Sequence, residues 1–208
     1  MEQKILRLLN EIYPVDLIKV ESVTNEMFRC TAIDGVYFAR ITNYKNYHEQ
    51  LEEVTYTNFL YKEGLGVSPT IASLNGKIVE KIILNNKEVL TILYKSAPGV
   101  HLPRNQWNAE ILKKLGRQIG RLHRFSQKFE EIHPLKYIND WHVNEEYAFL
   151  TYIPKEETAI REIAGDVLST IKAIPKNHLN YGLLHGDLWL ENTLVDDDYN
   201  LTMIDFQD

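Results

Sequence analysis

The sequence has one cysteine, Cys30, and no run of Lys and Arg. A lone thiol forms no internal disulfide and no Cys-based metal cage, which fits a reducing compartment. Apolar runs are only a few residues long, well short of the roughly 20 needed to cross a bilayer as a helix. The N-terminal stretch carries acidic residues and lacks an apolar core with a small-residue cleavage site, so the expectation is no secretory signal and a cytoplasmic location. The net charge of −6, without a basic run, argues against nucleic acid or an anionic membrane as the main partner. Glycine-rich phosphate motifs are also missing. Neither G-x-G-x-x-G nor G-x-x-x-x-G-K-[ST] occurs, which leaves a Walker-type NTPase or a Rossmann dehydrogenase without support. With 44% hydrophobic and 25% charged residues over 208 positions, the chain is neither disordered nor of low complexity, and it is long enough for a core.

What is present divides into a β-rich and a helix-rich part. Ile5, Leu8, Leu9 and Ile12 recur at helical spacing before Pro14, so residues 2–12 read as a short amphipathic helix. Met27–Ile33 and Val36–Thr42 are strand-like and flank Asp34-Gly35, a dipeptide suited to a tight hairpin. His48–Lys62 reads as a helix that stops at Gly64. Ile71–Leu74, Lys77–Leu84 and Val89–Tyr94 are strands separated by Asn75-Gly76 and Asn85-Asn86. The expectation is an antiparallel sheet of about five strands with one helix inserted.

Residues 95–99 (Lys-Ser-Ala-Pro-Gly) form a breaker-rich connector, read as a hinge between 1–94 and 100–208. Beyond it, Trp107, Ile111, Leu112, Leu115, Ile119, Leu122 and Phe125 form the apolar stripe of a helix over 106–129. His123, at the end of that stripe, is expected to be a buried, hydrogen-bonded structural residue. Ile160, Ile163, Ala164, Val167, Leu168 and Ile171 repeat the pattern before Pro175. Asn192–Val195 and Leu201–Ile204 are short strands joined by Asp196–Asn200, a hairpin whose open end brings the two flanking segments together.

Those flanks carry the chemistry. His185-Gly186-Asp187-Leu188-Trp189-Leu190-Glu191-Asn192 precedes the hairpin and Asp205-Phe206-Gln207-Asp208 follows it. Asp187, Asn192 and Asp205 supply two carboxylates and an amide oxygen, hard donors of the kind that Mg²⁺ and phosphoryl transfer require. The His185-Gly186-Asp187-x4-Asn192 spacing followed by Ile204-Asp205-Phe206 resembles the signature of the aminoglycoside phosphotransferase and choline kinase superfamily, a branch of the protein-kinase-like fold. Leu115-Gly116-x3-Gly120-x-Leu122-His123 is similar to that family's long central helix ending in Leu-His.

The resemblance implies a two-lobed α+β fold, with an N-terminal antiparallel sheet lobe (1–94) that binds nucleotide, a hinge (95–99) and a mostly helical catalytic lobe (100–208). It makes Asp187 the catalytic base, His185 the brace of the catalytic loop, and Asn192 and Asp205 the Mg²⁺ ligands. It places Arg40 where a strand cation meets the phosphates of ATP, Glu53 as that cation's partner, Tyr94, Lys95 and Ser96 at the adenine-binding hinge, and Asn25 in the nucleotide-covering loop, which here lacks glycine. The implied reaction is ATP- and Mg²⁺-dependent transfer of the γ-phosphoryl group to a hydroxyl of a small molecule. An aminoglycoside, choline or ethanolamine, homoserine and a sugar-like acceptor all stay open, and Tyr137, Trp141, Tyr147 and Trp189 are either pocket-lining or packing residues. Family members continue past the Asp-Phe segment with a helical region, so the helical lobe is expected to be incomplete, with apolar surface exposed on its helices. The alternatives are an inactive or nucleotide-binding-only fragment of such a kinase, and a metal-dependent hydrolase that uses the same cluster on water.

Overall fold

A computed structural model describes residues 1–138, 140, 141, 143 and 148–206. Helix α1 (Glu2–Ile12) turns Ile5 and Leu9 inward. It is followed by a meander of β1 (Leu17–Ser22), β2 (Met27–Ala32) and β3 (Gly35–Thr42), then by helix α2 (Tyr47–Lys62). Strands β4 (Thr70–Ile71), β5 (Glu80–Leu84) and β6 (Lys87–Lys95) complete a six-stranded antiparallel sheet. In it β6 pairs with β3 along one edge, and with β5 and then β4 along the other.

The strand that hydropathy patterning does not show is β1. Its burial does not alternate, because the register shifts between Leu17 and Lys19 and interrupts the period of two. The first hairpin turn also moves by one residue. Ala32 pairs with Gly35, so Ile33 and Asp34 make the connection and Gly35 already belongs to β3. The Asn85-Asn86 turn forms as the sequence suggests, with both residues in the left-handed region at φ 52° and 63°, which asparagine tolerates.

The sheet is covered on both faces. Ile5 and Leu9 of α1 and Tyr13 pack on Cys30, Ala39 and Leu93. On the other face Val54 of α2 packs on Val79, Leu90 and Ile92. Adjacent residues of β6 therefore point into different cores, and Ile92 and Leu93 are both fully buried.

After residue 99 the chain forms β7 (Val100–His101), helix α3 (Ala109–Ile132), helix α4 (Thr158–Ala173), and the hairpin β8 (Thr193–Val195) and β9 (Leu201–Met203). Strands β7, β8 and β9 make a second antiparallel sheet in that order. The Asn108 side chain caps α3 by accepting the N–H groups of Glu110 and Ile111. Tyr56 and Leu60 of α2 meet Leu122, Phe125 and Phe129 of α3 and Met203 of β9 in one buried cluster, which joins the sheet-rich part to the helical part. Gly66 completes the joint. Its carbonyl accepts the Met203 N–H at 2.7 Å, and a Cβ at Gly66 would stand 2.0 Å from the Leu201 carbonyl oxygen, so no larger residue fits.

One expectation for the helical part is corrected. His123 is exposed rather than buried, because Leu122 and Phe125 take the inward positions and leave it on the open side of α3. Helix α4 forms where its apolar stripe lies and has no buried residue; Ile163 is 65% exposed, the open apolar surface expected of this part. Its attachment runs instead through Arg161, which donates to the carbonyls of Leu150 and Ile153.

Candidate active site

The β8–β9 hairpin positions the site. At its closed end the Asp196 carboxylate accepts the N–H groups of Asp198 and Asn200 and the Asn200 amide, which makes this acidic turn a self-capped loop. At its open end a single 3₁₀ turn, Leu190–Asn192, feeds β8, and the Ile204 N–H donates to the Asn192 carbonyl at 3.0 Å. The segments ending in Asn192 and beginning at Asp205 are thereby held side by side.

Asn192 is buried, and its Nδ2 donates both to the Asp187 carbonyl, at 2.8 Å, and to Asp187 Oδ2, at 3.0 Å. With both amide hydrogens spent on Asp187, the oxygen Oδ1 is the atom left to accept or to ligate. Asp205 follows β9 in the left-handed region at φ 61°, a strained conformation for a residue with a Cβ. It leaves its carboxylate exposed while Phe206 turns into the core. His185 lies 4.1 Å from the Phe206 ring between centroids, at 2% exposure. Neither of its ring nitrogens reaches a hydrogen-bond partner among the described residues. Burial holds the imidazole below its ordinary pKa of 6.5, although the nearby Ile204 backbone and the charges of Asp205 and Asp187 favour protonation. The side chain is therefore neutral at pH 7, and it supports the Asp187 and Asp205 segments by packing.

Across the cleft, Arg40 of β3 and Glu53 of α2 form the expected pair, with NH1 3.4 Å from Oε1. Burial opposes the Arg40 charge, but Glu53, Tyr94, Asp205 and Glu26 outweigh it and raise the pKa further. The involvement of Asp205 connects this cation to the hairpin site. Glu53 has a second partner that motif spacing does not show: Lys45 Nζ lies 2.9 Å from its other oxygen. Its only sequence signal is a cation in the short loop ahead of α2, eight residues before Glu53.

The remaining candidates are scattered. The Tyr94 ring packs beside Val54 and Ile92, and burial, followed by the charge of Glu53, raises its pKa. The hinge donors are already engaged: the Lys95 N–H bonds the Pro69 carbonyl and the Ser96 N–H bonds the Val36 carbonyl, which leaves their carbonyls as the polar backbone groups for a base. Asn25 is exposed at the tip of the β1–β2 turn, which Thr24 closes by accepting the N–H groups of Glu26 and Met27. Trp189 is half exposed beneath Arg104, and Tyr137 stacks on His48 at 4.8 Å. Tyr147 and Asp208 lie outside the described residues.

A cavity of about 570 Å³ opens on the α3 side of the Asp187 loop, lined among others by His123, Glu130, Trp141, His185, Gly186 and Leu188. The segment along its rim is held from α2. Glu52 accepts the N–H groups of Lys136, Tyr137 and Ile138 at 2.9, 2.8 and 2.7 Å, so three consecutive backbone donors converge on one carboxylate.

Asn192 Oδ1 and the Asp205 carboxylate suit a hard divalent cation. Among the described residues no three His, Cys, Asp or Glu side chains form a metal cage. Two hard oxygen donors are a set that could hold a divalent cation whose remaining ligands are waters or phosphate oxygens. Arg40 offers a guanidinium fork to phosphate.

A family model described as "Phosphotransferase enzyme family" matches residues 17–208. Amicoumacin kinase of Bacillus subtilis (strain 168) is 27% identical over 187 residues, which is 88% of this chain and 55% of that protein. The chain thus spans about half the length of the curated relative it matches. Among solved structures, an amicoumacin kinase in complex with AMP-PNP, Ca²⁺ and Ami superposes with a TM-score of 0.83 at 24% identity, over 99% of this chain and 63% of that one. A microcompartment-associated aminopropanol kinase superposes with a TM-score of 0.75 at 20% identity, over 99% and 69%. At these identities the structural likeness is one of fold: an α+β arrangement with an N-terminal antiparallel sheet.

Proposed function

This chain belongs to the phosphotransferase enzyme family, and from that premise we propose that it transfers the γ-phosphoryl group of ATP to a hydroxyl of a small molecule. The observation that carries the reading is the double hydrogen bond from Asn192 to Asp187 at the hairpin mouth. It fixes one Asp187 oxygen and orients the other outward as a proton acceptor for an incoming hydroxyl. Asn192 Oδ1 and Asp205 would hold a divalent cation, which when bound neutralises charge on the nucleotide phosphates. Arg40 orients the phosphates from the opposite wall. Neutral His185 keeps the loop in register by packing on Phe206 and takes no proton. The backbone carbonyls of Lys95 and Ser96 offer the polar groups for the adenine base, and the Tyr94 side chain lies beside Arg40 and Glu53. The acceptor enters from the Asp187 side, and the relatives' names support an antibiotic or an amino alcohol.

The test measures ADP release with ATP and Mg²⁺ against a panel of aminoglycosides, amicoumacin, aminopropanol, choline and homoserine. Acceptor-dependent release is expected, and Asp187→Asn is expected to lower kcat by about 10²–10⁴-fold while ATP affinity is kept. Undiminished transfer by Asp187→Asn overturns the assignment. Phosphate release that ignores every acceptor favours a hydrolase, and ATP binding without release favours a nucleotide-binding role alone.

A further inference from the structure

We propose that Lys45 is a positioning residue of the nucleotide-phosphate site, holding Glu53 so that Glu53 in turn places Arg40; this rests on the phosphotransferase reading above. The Glu53 side chain is only 5% exposed, and its two oxygens are divided between two cations. The contacts are unequal. Lys45 Nζ sits at 2.9 Å from Oε2, within the range of a strong charge-assisted hydrogen bond, whereas Arg40 NH1 stands at 3.4 Å from Oε1, beyond it. The tighter bond decides where the carboxylate sits, and the looser one leaves the guanidinium able to turn toward a phosphate.

The backbone around Lys45 is built to aim it. On one side the Tyr44 N–H donates to Thr42 Oγ1 at 3.1 Å. On the other, Asn46 caps α2 in a reciprocal capping box with Glu49, which fixes the entry of the helix that carries Glu53. A lysine ordinarily keeps its ammonium in water, and here the side chain is 11% exposed, so the ion pair with Glu53 contributes to offsetting the burial. Removing it leaves Arg40 as the ion-pair partner of Glu53 among the described residues. The guanidinium is then drawn into a closer pair with Glu53, away from the position in which it meets phosphate.

The experiment is a double-mutant cycle on the full chain, reading the Kd of Mg·ATP and of adenosine by calorimetry, with a thermal melt for each variant. Lys45→Met is expected to weaken Mg·ATP about tenfold and to leave adenosine, which has no phosphate, unchanged. Lys45→Arg is expected to recover most of the loss. In a Glu53→Gln background, Lys45→Met is expected to add less than about twofold, because its action passes through Glu53. If Lys45→Met does not fold, Lys45→Gln takes its place in the cycle. The proposal is overturned by wild-type Mg·ATP affinity in Lys45→Met, by an equal loss for adenosine, or by a full tenfold loss on the Glu53→Gln background, which would make Lys45 a direct phosphate ligand. A wild-type chain that binds no Mg·ATP removes the nucleotide reading itself, and with it this role.

Discussion

An amide has two hydrogens and one carbonyl oxygen, and Asn192 commits both hydrogens to Asp187. That division of labour makes Asn192→Asp informative, because it sets a second carboxylate at the 3.0 Å contact with Asp187. Two like charges at that range raise the pKa of one of them above its unfolded value. Stability is then lost as pH rises through the raised pKa, so the melting temperature of Asn192→Asp is expected to fall further below wild type at pH 8 than at pH 5. His185 gives the opposite dependence. Its folded pKa lies below 6.5, so below that pH the unfolded chain binds a proton that the folded chain refuses. Wild-type stability from denaturant melts is expected to fall from pH 6.5 downward by up to about 1.4 kcal/mol per pH unit from this group. His185→Asn should flatten that segment of the curve, and an unchanged slope would show that the acid sensitivity lies elsewhere.

At the scale of elements, the hairpin and the helix opposite it do different work. β8 and β9 are three residues each, and they are anchored from outside by the bond between Gly66 and Met203. Gly66→Ala forces a Cβ into the Leu201 carbonyl and is expected to cost about 2 kcal/mol or more in a denaturant melt, with Asp205 displaced and Mg·ATP binding weakened alongside. Periodicity and turn residues make most of these elements legible in the sequence: the stripe of α3, the Asn85-Asn86 turn and the Asp187–Asn192–Asp205 grouping all follow from spacing. What is not legible depends on contacts far along the chain. The bulge at Leu17–Lys19 removes the alternation by which β1 would be read. Lys45 is one polar residue among several in its loop, and its importance exists only once α2 folds back over β3. The stripe of α4 is visible as a pattern, but a pattern cannot say what covers it.

At the scale of the whole molecule, the joint between α2, α3 and β9 is the buried cluster that ties the sheet-rich part to the helical part. Phe129→Ala, at 1% exposure, is expected to cost about 3–5 kcal/mol. Ile163→Glu on α4, a change of greater chemical violence, is expected to cost less than about 0.5 kcal/mol, because that side chain is 65% exposed. The same denaturant melts decide both, and a large loss in Ile163→Glu would mean that α4 is packed in solution. The joint also has a thermodynamic consequence, which lies in two successive residues. Glu53 pairs with Arg40, while Glu52 grips the backbone of residues 136–138 on the rim of the cavity. One helical turn thus borders both sites of the proposed function, and any coupling between them must be reciprocal. Whatever factor an acceptor applies to ATP affinity, ATP applies to acceptor affinity, and Glu52→Gln should bring both factors toward unity together.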